Sequence, residues 1–450
     1  MTGTLTSDPE IRTVRAEGTP GADTVSVRCS VGDLSLADLP VSVVLCYDRL
    51  LDADALAAGL ARALAHLPAF AGRLRTAPGG ELYLDCTGAG VPFTVADAPY
   101  TLEEALDRVL LPTSGLVDHV QATRARQEDL PLLTVRLNRL ADGTSALGIS
   151  WHHAIGDMQT FALLLRTWSA CTEDLPLPPV DLAADRDAYL DAHLPPVDGG
   201  APTLRLPSAA ENEALRREIA SAALANRTLQ VYFTPGEVAR LRDEFSAEAG
   251  RRLSANDALC AHLLAVLREV DGGASEPSLT MPVNLRRVLG LPDGALGNLL
   301  GEIRLPWRAG TTPAGFAAEL RGAVEEFTER HLSVRSTRLF LEALGRDRVT
   351  DCIPTGFDPA RRTLTLSNWC RLGLYDHPLA GALPVAFSPV ATLQLPWTSW
   401  LVEGPGGTGH LYTVVLPTRV AGRLRAARAL LHRHREDDEP LPATASRKLL

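Results

Sequence analysis

Lysine is almost missing from this 450-residue chain: Lys448 is the only one, although lysine and arginine together number 44. GC-rich coding produces such a replacement, which points to a bacterial source and says nothing of mechanism. Paired cysteines are missing too. Cys29, Cys46, Cys86, Cys171, Cys260, Cys352 and Cys370 are odd in number, widely spaced and without a CxxC pair. That argues against a disulfide framework or a zinc knuckle and fits a reducing cytoplasm. No apolar run approaches the ~18 residues of a membrane span, and the first residues lack a basic start followed by an apolar stretch. A cytoplasmic protein, neither exported nor spanning, is expected. Positive charge is also short, since the net value is −10. Nucleic-acid affinity rests on arginine and lysine neutralising phosphates, so no nucleic-acid partner is expected.

What is present is the balance of a globular protein: 46% hydrophobic and 22% charged residues. The length exceeds one ordinary core and predicts two domains. Leu56, Leu60, Leu64 and Leu67 share one face of a helix that Pro68 stops. Leu133, Val135 and Leu137 alternate outward to an Asp142-Gly143 turn, and Leu147, Ile149 and Trp151 return, which predicts a β-hairpin. A stretch rich in Pro, Gly and Asp follows and marks the crossover. Beyond it Thr234, Pro235 and Glu237 form a capping box, Ser254 caps a further helix, "RTLTLSNWCRLGLY", "VATLQLPWTSWLVEG" and "GHLYTVVLP" read as strands, and "TRVAGRLRAARALLHRHRE" predicts one closing helix. The resulting division is an extension (1–27), a first domain (28–190), a linker (191–225), a second domain (226–435) and a disordered tail (436–450).

The hairpin ends in "SWHHAIGDMQTF", Ser150 to Phe161. Strand alternation sends Trp151 and His153 to one face and His152 to the other. In one reading both histidines are satisfied near a core and Asp157 is a helix N-cap. A metal site lacks further ligands, because His432 and His434 fall in a segment that reads as exposed and basic. A serine-hydrolase elbow lacks its second glycine, since "GISWH" carries His152 there. The remaining reading is general-base catalysis by a histidine, the natural proton acceptor at neutral pH. Local pattern alone leaves the first and last readings open.

"HHAIGD" resembles the HHxxxDG motif of the chloramphenicol acetyltransferase-like superfamily, and "LPAFAGRLR", "MPVNLRRVLGLPDGALGNLLGEI" and "LSNWCRLGLYDHPLAGALPVAF" are similar, in order, to segments of BAHD acyltransferases. The resemblance covers roughly residues 28 to 430. It implies an α/β fold of two acetyltransferase-like domains, mixed sheets flanked by helices, with a channel between them. It implies transfer of an acyl group from a thioester to a hydroxyl or amine of a small molecule, a secondary metabolite by default, with His153 as general base. Asp157 would support the site by pairing with Arg286, or else with Arg287. Trp369 would donate its indole N–H to the oxyanion, Asn298 would sit in a structural Gly-Asn turn, and Ser254 and Ser367 would lie near the donor. No bound cofactor or metal is implied. Acyl-CoA is the favoured co-substrate, an acyl carrier protein the alternative donor, and a monomer the expected state. A silent member that only binds an acyl thioester is the reading from another class. Two departures stand out: Met158 replaces the glycine after the aspartate, and "DHPLAG", Asp376 to Gly381, replaces DFGWG.

Overall fold

The computed structural model describes residues 8–18, 25–111, 113–196, 200–272, 277–330, 333–354 and 362–442. Local signals place many of its elements. Asp52 accepts from the amides of Asp54 and Ala55 and starts the helix Ala53–His66, whose Leu56, Leu60 and Leu64 are fully buried. Thr234 and Glu237 close a reciprocal capping box with Pro235 at the first helical position, and Ser254 does the same with Asp257. Each cap satisfies amides that a helix start leaves without partners.

Two six-stranded mixed sheets carry the fold. The first runs in the order Glu10–Val14, Val91–Ala98, Leu133–Leu140, Ser145–His152, Pro40–Tyr47, Ala386–Pro389. Only Val91–Ala98 and Leu133–Leu140 pair in parallel there. The second runs Asn226–Phe233, His410–Pro417, Thr398–Glu403, Thr363–Asn368, Ser278–Asn284, Leu300–Pro306. Its strand Thr363–Asn368 is parallel to both neighbours. Helices cover the sheets: Trp168 and Phe161 pack with Leu60 and Trp151 in one core, and Phe245, Leu259 and Phe316 pack with Phe233 in the other. Burying a side chain of this size contributes about 1.5–3 kcal/mol, which holds the amphipathic helices in place.

Several segments depart from the sequence reading. Glu10–Val14, in the stretch read as an extension, is the edge strand of the first sheet. Ala386–Pro389 leaves the second half and pairs with Pro40–Tyr47 at the opposite edge. The crossover region holds the helix Ala209–Ala225, with only Ala222 buried. The closing helix is broken into Thr418–Ala426 and Arg428–Leu431. His432 and His434 are not exposed: their imidazoles lie 2.8 Å from carboxylate oxygens of Glu237 and Glu244, and their side chains are only 6% and 8% accessible. The acidic partners sit on the helix Pro235–Ala249, far away in sequence, which hides them from a local reading. Of the stretch read as a tail, Glu439 pairs with Arg240 and Thr234, and residues 443–450 lie outside the described residues. Among the described residues no helix is long and apolar enough to cross a membrane, and no group of side chains could hold a metal ion.

Candidate active site

The strand Ser145–His152 stops one residue earlier than alternation predicts. His153 begins a short 3-10 turn, His153–Ile155, and Asp157 caps the helix Met158–Thr172. Trp151 locks this corner: its ring stacks on Phe161 at 4.3 Å and its indole N–H donates to the Gly156 carbonyl at 3.2 Å. Such a stack adds about 0.5–1.5 kcal/mol beyond area burial. Gly156 is needed because a Cβ there would lie 2.4 Å from Thr160 Oγ1. Met158, at the position of the glycine in the HHxxxDG motif, is an ordinary first helical residue, buried against the cavity.

The two histidines part at this corner. His152 is fully buried, with Nε2 3.2 Å from the Ala122 carbonyl and Nδ1 accepting from Ala154 N at 3.1 Å. Both nitrogens are spent, and burial pushes its pKa down to about 4. His153 lines a cavity of about 390 Å³ whose walls come from both sheets, within the usual range for small-molecule sites. Its Nδ1 lies 3.0 Å from Asn298 Oδ1. The amide nitrogen of Asn298 donates to Asp33 Oδ1 at 2.7 Å and to the His153 carbonyl at 2.8 Å. With both donors of that amide directed at acceptors, its oxygen faces the ring, so Nδ1 carries the proton and Nε2 the lone pair. Burial lowers the His153 pKa, opposed by Asp157, Asn298 and Asp33, and the neutral form is favoured.

Asp157 is both an N-cap and half of a buried ion pair. It accepts from Thr160 N at 3.0 Å, and Arg286 reaches its two oxygens at 2.8 and 3.1 Å, with both side chains no more than 3% accessible. Leu299 N donates to it as well. The Arg286 guanidinium also donates to the carbonyls of Ala295 and Gly297, to Asn284 Oδ1 and to Thr160 Oγ1. One carboxylate from the first half thereby organises residues 295–299 of the second. Gly297 takes φ +130, and a Cβ there would press on Arg186; only glycine presents Asn298 to the ring in this way.

From the opposite wall come Ser367 and Trp369, both cavity-lining. The Trp369 indole N–H donates to Ser367 Oγ at 2.8 Å, so it points at a hydroxyl rather than at open space. Ser254 is elsewhere: it does not line the cavity, and its Oγ meets Asp257 N and Arg321. Arg287, the alternative partner of Asp157, is exposed. Thus His153, Asp157, Arg286, Asn298, Ser367 and Trp369 converge, and Ser254 stands apart. Sequence reasoning missed Asp33 and Arg186. Ser30-x-x-Asp33 is a legible capping box, present as such in the structure, but nothing local announces its partners 153 and 265 residues away.

"DHPLAG" holds its loop without the aromatics of DFGWG. Leu379 and Ala382 bridge, Gly381 N donates to Glu173, and the Tyr375 hydroxyl accepts from Phe387 N at 2.9 Å, at the start of the crossing strand.

Comparison with known proteins agrees with this architecture. A family model described as the transferase family matches residues 19–418. Rosmarinate synthase of Plectranthus scutellarioides is 26% identical over 386 residues, 82% of this chain and 85% of that protein. Agmatine coumaroyltransferase-1 of Hordeum vulgare is 24% identical over 399 residues, again 82% and 85%. Among solved structures, vinorine synthase superposes with a TM-score of 0.68 at 20% identity, covering 92% of this chain and 96% of that one. F. graminearum TRI101 complexed with coenzyme A and T-2 mycotoxin gives 0.74 at 15%, covering 89% and 97%. With a family match spanning both sheets, and a two-domain acetyltransferase-like fold shared with these neighbours, the chain belongs to the BAHD acyltransferases and is an O- or N-acyltransferase.

Proposed function

We propose that the protein moves an acyl group from acyl-CoA to a hydroxyl or amine of a small molecule, with His153 as general base. The observation that carries this is the Nδ1–H of His153 engaged by Asn298, which leaves an Nε2 lone pair on a residue lining a cavity shared by both halves. Nε2 takes the proton of the acceptor as its oxygen or nitrogen attacks the thioester carbonyl, forming a tetrahedral intermediate. Collapse of that intermediate breaks the C–S bond, and the thiolate leaves with the proton that His153 holds. No acyl-enzyme is required. We assign donation to the oxyanion to the Ser367 hydroxyl, a cavity-lining group whose oxygen accepts from Trp369. Asp157 and Arg286 act as support, because every carboxylate oxygen of Asp157 is engaged.

The complex of F. graminearum TRI101 with coenzyme A, among the structural neighbours, supports acyl-CoA as donor. Condensation domains superpose less well, at TM-scores of 0.59 and 0.57, and represent the carrier-protein alternative. The net charge of −10 disfavours long-range attraction to an acidic carrier and supports the same choice. A bacterial, cytoplasmic source is our reading of its arginine usage and its seven widely spaced cysteines. The test is a screen of acyl-CoA donors against hydroxyl and amine acceptors, with free thiol and product mass measured. An acyl mass increment on the acceptor with stoichiometric thiol supports the proposal. A large preference for the same acyl group on a holo carrier protein overturns the donor. Thioester binding without turnover overturns the enzyme in favour of a silent scaffold.

A further inference from the structure

Behind His153 lies a buried chain of polar groups that reaches across the molecule: Arg186 to Asp33 at 3.1 Å, Asp33 to Asn298 at 2.7 Å, Asn298 to His153 at 3.0 Å. Arg186 and Asp33 are 1% and 0% accessible. We propose that Asp33 is a positioning residue that sets the tautomer of His153 through Asn298, and so decides which ring nitrogen can accept a proton. The proposal rests on the reading of His153 as the base.

An asparagine amide can present either end to an imidazole. If its nitrogen faced Nδ1, that nitrogen would have to accept, the ring proton would move to Nε2, and the side chain could no longer serve as base at the cavity. Asp33 prevents this reversal because each of its oxygens is met by two donors. Oδ1 accepts from Asn298 N at 3.2 Å and Asn298 Nδ2 at 2.7 Å, and Oδ2 accepts from Ser30 N at 2.8 Å and Arg186 at 3.1 Å. Turning the amide would set its oxygen against the carboxylate and against the His153 carbonyl, two acceptor–acceptor contacts between buried groups. Arg186 in turn holds the carboxylate and donates to the carbonyls of Ala154 and Ile155, in the turn that bears His153. Base, amide and carboxylate are therefore fixed to one frame.

The isosteric change Asp33→Asn separates positioning from packing. The new side chain has one acceptor oxygen, and the Arg186 guanidinium claims it. Its NH2 then faces Asn298 and turns that amide, which moves the proton of His153 to Nε2. Holding the wrong tautomer of a catalytic histidine costs on the order of 10² to 10⁴ in turnover.

The experiment combines nitrogen NMR of protein labelled with 15N-histidine, the His153 signals assigned by loss in His153→Gln, with steady-state kinetics on acyl-CoA. Wild type is expected to show protonated Nδ1 and unprotonated Nε2 at neutral pH. Asp33→Asn is expected to show the reverse, with kcat lower by ~10² or more and KM for the donor within a few-fold. Asn298→Ala removes the intermediary, and in that background Asp33→Asn should cost no further activity. A wild-type ring protonated at Nε2 overturns the proposal even if Asp33→Asn does not fold. So does an additional loss of tenfold or more in the double variant, which would place the action of Asp33 elsewhere. Failure of the base reading shows separately, as near-normal turnover by His153→Ala, whatever the tautomer.

Discussion

The two walls of the cavity are built differently. On the first-half wall the polar groups of the HHxxxD corner are committed inside the protein: Asp157 has both carboxylate oxygens engaged, and His153 has one nitrogen committed. On the second-half wall, Thr280, Thr365, Ser367 and Ser399 line the space as strand hydroxyls; Ser399 donates to the Thr365 carbonyl at 2.9 Å and Ser367 accepts from Trp369 at 2.8 Å. A wall of fixed groups suits proton transfer, where geometry must be ready beforehand; a wall of hydroxyls suits contact with a long, flexible substrate arm. The adjacent histidines sharpen the contrast. His152 bears its proton on Nε2 and His153 on Nδ1, and the difference comes wholly from their neighbours.

Breaking the joint between the walls should have the largest effect. Asp157→Ala leaves Arg286 buried without its partner, which typically costs about 3–5 kcal/mol, so urea unfolding should show a lower midpoint and activity should fall with it. Asp157→Asn should keep part of both. An alanine variant as stable as wild type but inactive would assign Asp157 to the chemistry. Next is the proposed base. His153→Ala should lower kcat by about 10² to 10⁴ with an unchanged melting temperature, and His152→Ala should affect stability more than kcat.

The second-half wall is tested by Ser367→Ala. Loss of one oxyanion donor costs ~10² to 10³ in kcat, and a change confined to KM would make Ser367 a binding contact instead. The smallest effect concerns acid stability. His152 in the first half and His262 in the second are both held neutral by burial, with pKa values near 4. The unfolded chain binds those protons at its ordinary value of about 6.5, so stability declines as pH falls from there toward 4. His152→Gln and His262→Gln should each flatten the dependence of the urea midpoint on pH in that window. An unchanged slope in either would mean that histidine is already protonated in the fold.

Legibility in the sequence followed distance along the chain. The caps at Asp52, Thr234 and Ser254, the hairpin turning at Asp142-Gly143, and the helix that Asp157 starts all depend on residues within a few positions of one another, and each stands in the structure. The pairing of Asp157 with Arg286 spans 129 residues and came only from resemblance. Asp33 and Arg186 escaped because their partners lie 153 and 265 residues away and no local pattern marks those contacts. The closing segment was misjudged for a related reason: its histidines and arginines read as solvent-facing until Glu237 and Glu244 were placed opposite them.

The strand Ala386–Pro389 has a mechanical meaning. It leaves the second half, hydrogen-bonds along Pro40–Tyr47, and returns through residues 390–397 to its own sheet. An arm threaded in this way links the unfolding of the two halves into one cooperative event. Cleavage in the 191–225 segment should leave both fragments associated, and expression of residues 1–190 alone should yield a sheet with the Pro40–Tyr47 edge uncovered and prone to self-pairing. A hinge-like swing of the halves would have to break this pairing. Ligand exchange is therefore expected to proceed with the arm in place and the halves together.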